Sequence, residues 1–334
     1  MEELATLKMN DIKPTSPLVA VSNYTINSTI YISLLPDSNI YAIITGLTLL
    51  TNVSMLCLVI KERKLHTMSN WILASMFCAG IAFAIAYLLP RWVIFFKWNL
   101  YHSFACLILP MTGSGLIINF NLHLALVSLD RYFCFTSPFT YQRPQSRVIA
   151  KLAIASVWVL SSFTAYIPLF TFLIPSPGKC AAQQRSEIYY NYLCTVFVIL
   201  FFLPLAVLIV TYSRILWIVN NHTQRRQEGI VRSNSVTISA FHRNLRAIKY
   251  MIALIGLFIL FWLPYIILFL VYYATSIASV HTLILIRNFQ YLAFSYPAVN
   301  PILYAYFTPC MRHVMKKKLS RSIQSIAQIL SNIA

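Results

Sequence analysis

The chain has 334 residues, of which 59% are hydrophobic and only 10% charged, and its formal net charge is +18. A soluble domain carries about a quarter charged residues, so lipid rather than water is the solvent this composition suits. The basic residues sit in short runs between apolar stretches, a pattern that argues for the loops of a membrane protein and against nucleic acid. The seven cysteines are odd in number and lack C-x-x-C spacing, so no zinc site or other cofactor is implied.

The polar N-terminal segment, residues 1–37, carries the sequons Asn23-Tyr-Thr and Asn27-Ser-Thr, where glycans are expected if the segment is extracellular. The first 30 residues lack a basic start followed by an apolar run, so the first span is expected to serve as its own insertion signal. A helix rises roughly 1.5 Å per residue, so about 20 apolar residues cross a bilayer. Seven stretches in the segment 38–307 reach that length: Ile40–Ile60, Trp71–Pro90, Ser103–Leu129, Leu152–Pro175, Ile188–Ser213, Tyr250–Val271 and Asn288–Phe307. The last two are divided at the uncharged Ala274–Thr282, because an unbroken helix would be far too long. In residues 308–334, Met311, Val314, Met315 and Leu319 alternate with Arg312 and Lys316–Lys318, which predicts a short amphipathic helix on the inner leaflet.

Lysine and arginine set the orientation. Residues 61–66, 131–151, 214–249 and those after Phe307 hold 19 of the 26 basic residues, so these segments are expected in the cytoplasm. Seven crossings then place the N-terminus outside the plasma membrane. The expected fold is an all-α membrane protein: a seven-helix bundle with a short amphipathic cytoplasmic helix.

An ordered set of motifs runs through the spans. The third ends in LDRYFCFTSP (Leu129–Pro138) and the fourth holds Trp158. The fifth holds Pro204, with Tyr212 eight residues later. The sixth contains FWLP (Phe261–Pro264), the seventh ends in NPILY (Asn300–Tyr304), and the first contributes Asn52. Over roughly residues 40–320 this order resembles the rhodopsin-like, class A, G-protein-coupled receptors. The resemblance implies a receptor and not an enzyme. Its partners would be an extracellular ligand, a heterotrimeric G protein and membrane lipids.

By that resemblance, Asp130 holds Arg131 in the resting state, in the Asp130-Arg131-Tyr132 motif. On activation the freed Arg131 packs against the G protein, with Tyr212 and Tyr304 closing around it. Pro264 and Pro301, beside Trp262 and Asn300, permit the helix kinks on which such a switch turns. Phe139 resembles the apolar knob that docks on the G protein. His123, a mid-membrane histidine, is expected to bond Trp158 and Ser75 as a packing group. Cys106 and Cys180 both lie on the side expected to be extracellular, where disulfides persist. A bridge between them would pin the loop after the fourth span over the pocket. Cys57, Cys78, Cys134, Cys194 and Cys310 are expected to be free thiols.

Several positions depart from the family pattern. Gly80 stands where the family has a sodium-binding Asp, and Phe120 replaces a small polar residue that helps hold the ion. Asn244 and Asn121 replace an acid and an aliphatic residue. Gly113 occupies the position of the Asp that pairs with amine ligands, and Phe294 that of the retinal-linking Lys. The remaining expected pocket lining is Ser114, Ile117, Val196, Phe197, Leu200, Trp262, Tyr265, Phe269, Gln290 and Phe294. Such a lining suits an apolar small molecule or a peptide side chain. Arg91, Lys97, Lys179, Arg185 and Arg287 near the mouth are read as solvated or snorkelling. The spans are almost free of acids, which argues against a transporter, and His123 has no partner acid with which to form an enzyme site. A decoy receptor that binds without signalling and an atypical amine-type receptor are the remaining alternatives.

Overall fold

The computed structural model describes residues 37–94, 108–136, 144–171, 187–227, 256–272, 280–307 and 311–315, with isolated positions elsewhere. These residues form helices and no strand. Helices α1 (Ser38–Lys61) and α2 (Met68–Ile94) are followed by α3 (Leu109–Thr136) and α4 (Pro144–Thr171). Helix α5 is built of three consecutive segments, Glu187–Phe197, Val198–Phe202 and Leu203–Gln227. Helices α6 (Gly256–Tyr272) and α7 (Val280–Phe307) complete the set. The first five are long and apolar enough to cross a membrane, while the described part of α6 is shorter.

Each helix coincides with an expected span, but several run further than the apolar stretch. Helix α3 continues to Thr136 rather than Leu129, α4 starts at Pro144 rather than Leu152, α5 reaches Gln227 rather than Ser213, and α7 begins at Val280 rather than Asn288. Hydropathy measures the length in lipid, whereas backbone hydrogen bonds propagate a helix beyond it. Pro144 suits a first helical position, where its missing N–H costs nothing. Side-chain caps fix two other starts. Asp37 accepts from the Asn39 N–H at 2.8 Å, and the Thr67 hydroxyl accepts from the Asn70 N–H at 3.4 Å. Between them, α1 stops at Lys61 and a 3-10 turn, Arg63–Leu65, leads to α2.

Helix α3 is the axis of the bundle and packs on α2, α4 and α5, while α7 lies along α1. In the most apolar stretches of α2 and α3, 61% of residues are buried, against 22% in α4. Helix α4 therefore shows lipid Val159, Phe163 and Phe170. Lipid tails solvate such faces, so the helices associate through close packing. Small residues permit it. A Cβ on Gly115 would lie 2.7 Å from the Ala165 Cβ, locking α3 to α4. A Cβ on Gly80 would lie 2.6 Å from Asn52 Oδ1, which brings α2 against α1.

Prolines shape the helices, and neighbouring side chains answer the carbonyls they strand. Pro301 has no N–H for the carbonyl of Pro297, four residues earlier. Asn52 Nδ2 donates to that carbonyl at 2.9 Å, and to Thr48 O at 2.8 Å. Pro168 strands Thr164 in the same way, and the Tyr192 hydroxyl of α5 donates to the Thr164 carbonyl. Two prolines lie in or beside wide π-helical turns: Ala84–Ile94 contains Pro90, and Val198–Phe202 precedes Pro204. A wide turn eases the clash of a proline ring with the preceding turn, and it rotates the side chains that follow. Past Phe307, residues 311–315 are helical. Met311 is buried in the core, and Arg312 donates to the Tyr306 carbonyl from Nε at 3.1 Å and Nη2 at 2.6 Å.

Candidate functional site

The inner end of the bundle is held by side chains from the first turn of α2. Asp130 of α3 is buried and accepts from the Ser69 hydroxyl, and its carboxylate lies 3.8 Å from Arg131 Nε. Next in sequence to Ser69, Asn70 accepts at Oδ1 from the Tyr304 hydroxyl of α7, and its Nδ2 donates to Leu65 O at 2.8 Å. The cap at Thr67 aims these two consecutive residues, so one helical turn ties down α3 and α7 together. Tyr304 is thereby turned to α2. The Tyr212 hydroxyl of α5 is buried with no hydrogen-bond partner among the described residues. Tyr132 is half-buried and packs edge-on against Phe133 at 5.7 Å.

Mid-depth is polar but uncharged. The Ser75 hydroxyl is 2.8 Å from His123 Nε2 and accepts from Trp158 Nε1 at 2.9 Å. The expectation that His123 bonds Trp158 is corrected: Ser75 stands between them, and the two rings meet edge to face at 6.2 Å. His123 Nδ1 reaches the Asn119 carbonyl at 2.9 Å, so both ring nitrogens are engaged inside the bundle. Around Gly80, Asn52 fills the space a side chain would need, and Phe120 packs edge-on against Tyr296 at 5.9 Å. Asn300 contributes a weak donation to Met76 Sδ at 3.5 Å. Asn52 Oδ1, Asn121 Oδ1 and Asn300 Oδ1 are buried without partners among the described residues.

The outer half is an aromatic basin centred on Phe294, which is 1% exposed. Its ring meets Phe83 at 5.5 Å, Tyr87 at 5.8 Å, Tyr265 at 6.0 Å, and Tyr41 and Trp262 at 6.2 Å. One side chain of α7 thus joins α1, α2 and α6. Phe269 continues the row from Tyr265 at 6.0 Å. Gln290 accepts from the Tyr41 hydroxyl at 2.9 Å, and the Ser114 hydroxyl turns back onto Met111 O at 2.9 Å. At the rim Tyr41 stacks on Trp92 at 4.7 Å, and the Arg91 guanidinium lies 5.3 Å over Trp92.

The predicted residues divide accordingly. Trp262, Tyr265, Phe269, Gln290 and Phe294 come together, and Gly113 and Ile117 are buried on the facing side of α3. On α5, Val196 and Leu200 are only half-buried, whereas Phe201 is 1% exposed and stacks on Phe258 at 5.2 Å. The wide turn over Val198–Phe202 shifts the inward face, a rotation that regular helical spacing does not anticipate. Pro264 lies within α6, and Pro301 within α7. The Phe197 side chain, Phe139, Cys106, Cys180, Asn23, Asn27, Asn244 and Cys310 lie outside the described residues. Cys57, Cys78 and Cys194 are free thiols. Tyr41, Phe83 and Tyr87 complete the basin and are absent from the sequence reading.

A helical bundle with a charge pair closed at one end and an aromatic basin at the other has the form of a membrane receptor. The family model described as 7 transmembrane receptor (rhodopsin family) matches residues 51–304. The chain belongs to that family and is a multi-pass plasma-membrane protein with its seven-helix fold. Among its relatives is the human 5-hydroxytryptamine receptor 1E (Homo sapiens), 30% identical over 209 residues, covering 59% of this chain and 54% of that one. Mouse trace amine-associated receptor 9 (Mus musculus) is 25% identical over 292 residues, 81% of each chain. The D(5)-like dopamine receptor of Takifugu rubripes is 25% identical over 209 residues, covering 55% of this chain and 45% of that one. The matched region spans about half the length of the 5-hydroxytryptamine relatives.

Proposed function

We propose that this chain binds an extracellular ligand in the outer aromatic basin and activates a heterotrimeric G protein at its inner face, with the N-terminus outside. The carrying observation is the inner end, where Asp130 faces Arg131 while Ser69 and Asn70 hold Asp130 and Tyr304. That arrangement is a resting lock. A ligand that favours the unlocked state shifts the equilibrium towards it. Tyr304 then leaves Asn70, Tyr212 gains a partner for its buried hydroxyl, and Arg131 leaves Asp130 to meet the G protein. The signal has a packed route, from Phe294 to Trp262 and from Trp262 to Phe258 at 6.4 Å.

The ligand that suits the basin is an apolar small molecule or a peptide side chain, since the walls are aromatic and Gln290 is already bonded to Tyr41. The names of the relatives favour a second reading, an amine receptor of atypical anchoring. A screen of neutral lipophilic compounds, peptides and biogenic amines against a promiscuous G-protein reporter separates the two. The first reading expects hits among the neutral or peptide ligands. Hits confined to amines support the second, and saturable binding that never drives the reporter leaves a decoy receptor.

A further inference from the structure

The space beside Gly113 is filled. A Cβ on Gly113 would lie 2.4 Å from Tyr87 Cε2 and 2.6 Å from Cδ2 and Cζ, closer than side-chain atoms approach in folded proteins. The Tyr87 ring therefore occupies the volume that any side chain at 113 would need. The ring is 7% exposed and wedged between Phe83 at 5.4 Å and Phe294 at 5.8 Å. It stands in the wide turn Ala84–Ile94 of α2, so the same backbone feature that accommodates Pro90 carries the ring that meets α3.

We infer that Tyr87 is the specificity-determining residue of the outer basin, its ring filling the seat beside Gly113 so that the basin takes neutral ligands and rejects ammonium groups. This rests on the reading of the basin as the ligand site. Among the described residues, an ammonium buried beside Gly113 meets the carbon atoms of the Tyr87 ring. Cation–π contacts, worth about 0.5–2 kcal/mol each, give a primary ammonium no acceptor for its three N–H donors, so they do not replace the hydrogen bonds it leaves in water. A carboxylate at 113 does not restore an amine site by itself, because Tyr87 must first be cut back. Tyr87 also touches Phe294, so a ligand pressing on the ring reaches Trp262 through one intermediate side chain.

The test is direct binding of radiolabelled tyramine to membranes bearing the wild type, Gly113→Asp, Tyr87→Val and the double variant, read without any G protein. The double variant is expected to gain saturable binding at least about tenfold tighter than either single variant. Gly113→Asp binding as tightly as the double variant would overturn the inference, and so would a double variant no better than the wild type. Folding is checked by thermal unfolding of purified Gly113→Ala and Gly113→Ala/Tyr87→Val. The first should lose several degrees of midpoint and the second should recover at least half of the loss. A Gly113→Ala variant as stable as the wild type would show that the ring does not fill the seat. Because binding is read without signalling, a silent G-protein reporter bears on the proposed function and not on this inference.

Discussion

The two ends of the bundle are built from opposite materials. The inner end is polar and specific: a carboxylate, a guanidinium, a hydroxyl, a carboxamide and a phenol meet across α2, α3 and α7. The outer end is a set of stacked and edge-on rings, in which the Tyr41 hydroxyl bonds Gln290 while the indole N–H groups of Trp92 and Trp262 have no partner among the described residues. Hydrogen-bonded pairs have discrete partners, so the inner end suits a two-state device. Ring packing tolerates substitution of one ligand shape for another and carries no charge requirement. On the proposed reading, the inner end keeps the motif residues Asp130, Arg131 and Tyr304, while the outer end has Gly113 where the family resemblance places a charged residue.

Substitutions at the two ends should fail differently. The largest effect belongs to the outer hub: Phe294→Ala removes a ring shared by three neighbouring helices and should cost about 3 kcal/mol or more, seen as a fall in the thermal midpoint of the purified receptor. At the inner end, Ser69→Ala takes a donor from buried Asp130, worth about 1.5–3 kcal/mol to that carboxylate. It should raise basal signalling in a reporter assay, with a smaller loss of stability than Phe294→Ala. A basal signal at or below the wild type would remove Ser69 from the lock. Between the two ends, Gly80→Ala drives a methyl into Asn52, and overpacking of this kind costs about 1–3 kcal/mol. Asn52→Ala in the same chain relieves the clash but strands the Pro297 carbonyl, so the double variant should keep a midpoint below the wild type. Smallest of all is the response to sodium. By the family resemblance Gly80 and Phe120 replace two residues that hold the ion, and Asn52 fills the space beside Gly80, so ligand affinity should change equally in sodium and potassium chloride. A sodium-specific shift would mean that the cavity exists.

Much of the inner end was legible in the sequence because each member is a motif residue at a fixed depth: Asp130, Arg131 and Tyr304 are recognisable before any coordinates. Ser69 was not, since nothing about a serine at the start of a helix names the acid it will meet. The spans were legible from apolar run length, yet the extension of α5 to Gln227 was not, because polar residues outside lipid leave the hydropathy signal without ending the helix. In the outer basin, regular spacing pointed to Leu200 where the structure buries Phe201, owing to the extra residue of a wide turn. Likewise, the loss of the amine-pairing Asp could be read at Gly113. That Tyr87 had taken its volume is a tertiary fact, set by how α2 leans on α3.

On the proposed reading the charge pair at the inner end is a working switch and not a remnant. It is tested most directly by guanine-nucleotide exchange on purified G proteins. Wild type and Arg131→Ala, at matched amounts in nanodiscs, would be compared with a saturating ligand from the reporter screen. Ligand-driven exchange is expected from the wild type and none above background from Arg131→Ala, with ligand binding retained in both. Equal exchange from the two proteins would contradict it.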